Sequence, residues 1–143
     1  MNFNPTYIQQ EKFLDEYIQQ GEHQQQDFKK TVSNATKIAK TICAFANGQG
    51  GRLLIGVDDE GEIQPVEVEE EMYMVHLAAT EYCRPPVMVD FIVHESQDGD
   101  VLEAKIGEKT NVVHAAQDQH GEWKVYVRDR DRVINMCSLS KGY

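Results

Sequence analysis

The sequence predicts a single α/β (α+β) domain, a mixed sheet with helices packed on it. Three observations carry that reading. The chain has 143 residues, the size of one ordinary domain. Its hydrophobic content of 41% is enough for one core and too high for a disordered chain. The apolar period also switches along the chain, helical in some segments and alternating in others, in mixed order.

Residues 6–20 place Tyr7, Leu14, Tyr17 and Ile18 at roughly helical spacing, with Ile8 and Phe13 nearby and Gly21 as a C-cap. The expectation is a helix over 6–20, within an N-terminal helical extension of residues 1–20 ahead of a domain at 21–143. Residues 24–29 are weakly strand-like. Residues 33–47 predict a helix capped by Ser33 or Asn34. Its apolar stripe is Ile38, Ala39, Ile42, Cys43, Phe45 and Ala46, with Lys37, Lys40 and Thr41 on the other face. Gly48, Gly50 and Gly51 end it. The continuous apolar run 53–57 then reads as a buried central strand, followed by a turn at 58–61 and a partner strand from Glu62. Residues 67–83 predict a third helix, with glutamates at its N-terminal end where the dipole favours them. Arg84-Pro85-Pro86 stops it. Residues 87–95 and 101–106 alternate around Gln97-Asp98-Gly99-Asp100 and predict a hairpin. Residues 122–128 alternate as a further strand, and 129–143 show no clear pattern.

A net charge of −10 opposes nucleic acid, whose binding rests on neutralising phosphates. Its distribution qualifies this: residues 1–50 are net 0, 51–100 net −11 and 101–143 net +1. The acid sits in the middle third, which leaves room for basic faces elsewhere. One candidate face is Lys30, Lys37 and Lys40 with Lys29. Another is Lys124, Arg128, Arg130 and Arg132, with Trp123 and Tyr126 interleaved and Asp129 and Asp131 diluting it. Cys43, Cys83 and Cys137, odd in number and widely spaced, fit reduced thiols in a cytoplasmic protein. No apolar run reaches the roughly 18–20 residues of a membrane span, and the N-terminus lacks the pattern of a signal peptide.

Asn47-Gly48-Gln49-Gly50-Gly51 invites a phosphate-loop reading, but the order is helix, glycines, strand. A phosphate loop runs the other way, so that a helix N-terminus faces the anion, and ATP binding here is disfavoured. The carboxylates form a second candidate. Asp27 and Lys29, two apart on a strand, share a face. Asp58 and Asp59 leave the end of the central strand, where open α/β sheets place sites. If 24–29 lies beside 53–57, then Glu22, Asp27, Asp58 or Asp59 and Lys29 converge. Oxygen ligands of that kind suit Mg²⁺ or Mn²⁺, which assist phosphodiester hydrolysis. Solvated surface acids and a turn-forming Asp-Asp are the plainer alternative. His23, His76, His94, His114 and His120 show no metal-ligand spacing.

These residues together resemble a known family. Gly21-Glu22, four residues, Asp27-Phe28-Lys29; the helix ending Ala44-Phe45-Ala46-Asn47; and Gly50-Gly51-Arg52-Leu53-Leu54-Ile55-Gly56-Val57-Asp58-Asp59-Glu60-Gly61 are similar to the Schlafen-type AlbA_2 domain. Val125-Tyr126-Val127-Arg128 is similar to a later strand of that family. The resemblance spans residues 21–132 and implies an AlbA_2-like α/β domain, a DNA-binding or divergent ATP-binding module. Some Schlafens cleave transfer RNA with two glutamates and an aspartate. By motif these fall on Glu22, on Asp27 (a departure from glutamate) and on Asp58 or Asp59. Vertebrate Schlafens pair two such lobes into a cradle, which implies a homodimer for a chain with one lobe. Three functions are therefore expected in order: nucleic-acid binding of a regulatory kind, a metal-dependent endoribonuclease, and an acidic protein-interaction module.

Overall fold

A computed structural model describes residues 3–136. In chain order its elements are β1 (Thr6–Ile8), α1 (Glu11–Gln20), β2 (Gln26–Lys29), α2 (Ala35–Ala46), β3 (Gly51–Ile55), α3 (Val68–Glu81), β4 (Cys83–Arg84), β5 (Val89–His94), β6 (Val101–Ile106), β7 (Ala115–Gln117), β8 (Trp123–Lys124), β9 (Tyr126–Asp129) and β10 (Arg132–Asn135). The α+β class is as the sequence predicts.

The main sheet runs β1-β5-β6-β3-β2, with antiparallel pairs in the middle and a parallel pair at each edge. Parallel neighbours need a crossover, and α2 supplies it between β2 and β3. Asn34 starts α2: its Oδ1 accepts from Thr36 N at 2.9 Å and Lys37 N at 3.3 Å. Alternation splits the strands between two faces. Leu53 and Ile55 join the larger core under α2 and α3, whereas Phe28, Leu54 and Val101 pack with Leu14 of α1 on the other side. Helix α2 also packs against β7 and β9, so it is covered on two sides. That second cover buries Thr41, expected to face solvent, alongside Ile38, Ile42 and Phe45.

Three expectations need correction. Residues 6–8 are not the start of a helix but an edge strand, parallel to β5, and α1 begins only at Glu11. Residues 62–64 form no full strand, only a single bridge from Val57 to Ile63. The run 122–128 is two strands: β8 pairs with β7, and β9 pairs with β10. Among the described residues no helix is long and apolar enough to cross a membrane. Cys43 and Cys83 are buried thiols in the core; Cys137 lies outside the described residues.

Candidate functional site

The parallel pairing of β2 with β3 places Asp27 opposite Leu53 and Lys29 opposite Ile55, so both side chains face the α2 side of the sheet edge. They meet there: Lys29 Nζ lies 3.0 Å from Asp27 Oδ2. Glu22 reaches the same point from the turn before β2. Its Oε2 accepts from Phe28 N at 3.2 Å, occupying a donor that an edge strand otherwise leaves open. A hydrogen bond couples the two carboxyls. Glu22, an exposed group, is pushed up to about 7, first by its hydrogen bond with Asp27 and then by burial. Burial alone would raise Asp27 as well, but the hydrogen bond from Glu22 and the charges of Lys29 and Arg128 outweigh it and hold Asp27 below its ordinary value.

Arg128 locks this corner from behind. Tyr126 and Arg128 alternate inward on β9, and the Arg128 side chain is only 2% exposed. Its Nε and Nη2 donate to His23 O at 3.0 and 2.9 Å. Nη2 also donates to Gln26 O at 2.9 Å and to Asp27 Oδ1 at 3.4 Å. The guanidinium lies 4.7 Å from the centroid of the Phe45 ring. Gln24 ties the same two segments, donating to Arg128 O and accepting from Arg130 N, both at 2.7 Å. Asn47, at the end of α2, completes the frame. Its Nδ2 donates to His114 O and Tyr126 O at 2.9 Å, and its Oδ1 accepts from His114 N at 2.8 Å. The Asn of the Ala-Phe-Ala-Asn string is therefore a staple between α2, β7 and β9.

Asp58 does not complete a carboxylate trio. Its side chain serves its own turn, accepting from Glu60 N at 3.0 Å, Glu62 N at 2.9 Å and Gln64 Nε2 at 3.0 Å. These bonds, Glu62 first, hold its carboxyl below the usual range. Asp59 is exposed. Among the described residues no group of three His, Cys, Asp or Glu side chains is placed to hold a metal ion. With Asp27 committed to Lys29 and Arg128, the donor set does not fit the Mg²⁺ or Mn²⁺ site expected from spacing.

The two basic groups fare differently. Lys124 is bound to Asp118 at 2.8 Å and lies 3.6 Å from Glu122, while Arg130 and Arg132 flank Asp129 at 3.6 and 4.0 Å. Arg128 is internal. Lys30, Lys37 and Lys40 make no ion pair among the described residues, and Lys40 Nζ rests 5.6 Å from the centroid of the Tyr126 ring. Beside Lys37 a recess of about 140 Å³ is lined by Lys29, Thr31, Ser33, Asn34 and Lys37 itself. Its wall is held by buried Glu71 of α3, whose carboxylate accepts from Thr31 Oγ1 at 2.5 Å and Val32 N at 2.8 Å.

The glycines after α2 are structural. Gly50 has φ +77°, and a Cβ there would lie 2.5 Å from Ile106 O. Sequence reasoning also missed a polar chain on the α1 face. Buried His94 contacts Glu103 at 2.8 Å, Glu103 approaches Arg52 at 3.7 Å, and Arg52 donates to Gln26 at 2.8 Å. Its one sequence signal is polar residues on strand positions that point to a covered face.

An α+β domain whose sheet edge carries a carboxyl pair, a lysine and a buried arginine is the class these features define. The chain belongs to the Schlafen, AlbA_2 family, whose sequence profile matches residues 22–137. The crystal structure of the DIP2311 protein from Corynebacterium diphtheriae is similar in fold. It has a TM-score of 0.55 and 17% identity over 78% of this chain and 22% of that one. This chain thus spans about a fifth of that protein's length. A search of curated proteins finds no match.

Proposed function

We propose that this domain is a regulatory module that binds the phosphate backbone of nucleic acid, RNA or DNA, across the β2–α2 face. The observation that carries the reading is the contrast between the two basic groups. Lys124 is tied to Asp118, and Arg130 and Arg132 share Asp129, whereas Lys30, Lys37 and Lys40 carry no ion pair among the described residues, and Lys37 lines the recess together with Lys29. Family membership supports it. A homodimer that joins two such faces belongs to the same proposal, and light scattering at micromolar concentration tests it.

Fluorescence anisotropy of labelled single-stranded RNA and of duplex DNA across a salt series is the deciding experiment. Three lysines on phosphates of a single strand give a log–log salt slope of about −2. Lys37→Glu with Lys40→Glu removes about two thirds of that slope; Arg130→Ala with Arg132→Ala leaves it unchanged. A slope near zero, or no binding by a folded sample, abandons nucleic acid in favour of an acidic protein-interaction module.

A second reading, hydrolysis of RNA, has its own observation. A carboxyl poised near neutrality beside an ionised partner and a lysine suits general acid–base work. Here Glu22 would accept the proton of the attacking hydroxyl, and Lys29 would face the phosphate. Cleavage that Glu22→Gln leaves at full rate, while binding persists, removes that reading.

A further inference from the structure

On the α1 face, at the end of the sheet away from Asp58, lies a recess of about 400 Å³ that the backbone-binding reading does not use. Its walls include Gln20, His23, Gln49, Arg52, Lys105 and Glu108. Arg52 and Lys105 are directly opposite each other on β3 and β6. Like charges in that position destabilise a sheet unless something compensates them. Glu103, which also lines the recess, lies 3.7 Å from Arg52 and is shared with His94. Lys105 is exposed and makes no ion pair among the described residues.

The guanidinium is held in place before any ligand arrives. It stacks 3.8 Å from the centroid of the Tyr17 ring, and Nη1 donates to Gln26 Oε1 at 2.8 Å. Gln26 is itself anchored by donating to Tyr17 O at 2.5 Å and Gly21 O at 2.8 Å. Nη2 makes no hydrogen bond among the described residues. His23 is fixed as well. Its Nδ1 accepts from Gln25 N at 3.1 Å, which puts its proton on Nε2, 3.1 Å from Gln20 Oε1. Burial, then Arg52 and Arg128, lowers the pKa of this imidazole below its ordinary value. The Gln20 oxygen is thereby occupied, and its NH₂ is left to donate elsewhere.

We propose that this recess binds the dianionic head of a phosphomonoester between Arg52 and Lys105. Of the two cations in register only Arg52 has a carboxylate partner among the described residues, which leaves Lys105 for a ligand, and the planar fork of arginine matches phosphate oxygens. The volume exceeds a phosphate head, which leaves room for the esterified body over the amides of Gln20 and Gln49. Exposed Glu108 stands at the rim and opposes an anion. The head group has two sources, a free phosphomonoester such as a mononucleotide or the 5′-phosphate end of a strand.

Titration of ¹⁵N-labelled protein with inorganic phosphate at pH 8, against chloride at matched ionic strength, tests the site. Saturable shifts are expected at Gln49, Arg52 and Lys105. Lys105→Gln weakens binding about fivefold, the scale of one exposed ion pair, and Glu108→Gln tightens it. Lys37→Glu with Lys40→Glu leaves phosphate binding unchanged, so this site and the β2–α2 face fail separately. Shifts that do not saturate, that chloride reproduces, or that Lys105→Gln leaves at full affinity overturn the proposal. Competition then assigns the source. Stronger displacement of phosphate by a 5′-phosphorylated oligonucleotide than by a mononucleotide assigns the strand end, and the reverse assigns the free ester. Equal displacement by the 5′-hydroxyl oligonucleotide overturns the proposal.

Discussion

Arg128 can be a phosphate contact or an internal clamp, and the two roles separate on stability. Arg128→Met keeps the length and the apolar stem but removes the fork. The fork's bonds to His23 O and Gln26 O, with Asp27 Oδ1 at 3.4 Å, then have no donor. The group left behind matters most: the Asp27 side chain is 6% exposed, and its remaining cation is the half-exposed Lys29. Breaking a buried pair by deleting one partner costs about 3–5 kcal/mol, because the other charge stays buried. Two lost main-chain acceptors push the figure to the upper end of that range. Against a domain stability of about 5–15 kcal/mol this is a large fraction. Urea denaturation followed by circular dichroism measures it, with unchanged m-value as the check that the same transition is being read. Arg130→Ala is the control: its side chain is 82% exposed, and the expected loss is under about 0.5 kcal/mol. Adding Asp27→Asn to Arg128→Met should recover about 1–3 kcal/mol, since the orphaned charge is then gone. A loss below about 1 kcal/mol for Arg128→Met, with no recovery in the double variant, would refute the clamp and return Arg128 to the surface.

Three further outcomes follow from the same geometry. Asn47→Ala loses three hydrogen bonds at once and should cost about 2–3 kcal/mol, with hydrogen exchange rising at His114 and around Tyr126. The Glu22 carboxyl, raised to about 7, favours the folded state fully below its ordinary value of 4.5 and gives up that contribution as pH rises through about 7. Glu22→Gln should therefore flatten the decline of Tm over that interval, and parallel profiles would contradict the raised Glu22 carboxyl. Asp58→Ala should lower Tm while Asp59→Ala leaves it unchanged, because only Asp58 accepts hydrogen bonds from its turn.

The unit from β2 to β3 was legible in the sequence because its signals are local. A capping Asn34, a helical stripe, glycines and an apolar run follow one another without depending on distant partners. The same locality explains the errors. Tyr7 and Ile8 fit a helical stripe as well as they fit a strand, and what makes them a strand is β5, more than eighty residues later in the chain. Strand alternation from 122 to 128 is real, but alternation does not reveal that the partner changes from β7 to β10 at Val125. Within the candidate site, Asp27 and Lys29 were placed together by the two-residue period alone. Arg128 was misplaced on the surface because a buried arginine and an exposed one are the same letter. Its burial depends on carbonyls of His23 and Gln26 that only the folded turn presents.

Asp58 shows how a motif can mislead about its own chemistry. The chain carries the pattern Asp-x-x-Gly-Glu twice, at 58–62 and at 118–122. Both copies fold alike. In each, the glycine N–H donates to the aspartate carbonyl, the aspartate N–H donates to the glutamate carbonyl, and the aspartate side chain accepts two N–H groups. Glycine takes φ +81° in both, which a side chain rarely allows. The second copy lies outside the carboxylate corner, between β7 and β8, so the pattern forms this turn without help from a site. The turn is therefore sufficient to explain aspartate at position 58. A role for Asp58 beyond it would have to compete with three hydrogen bonds already made, whereas exposed Glu22 accepts one main-chain hydrogen bond, from Phe28 N, and its carboxyl is pushed up to about 7 beside Asp27. The chemistry of this corner is better sought at Glu22.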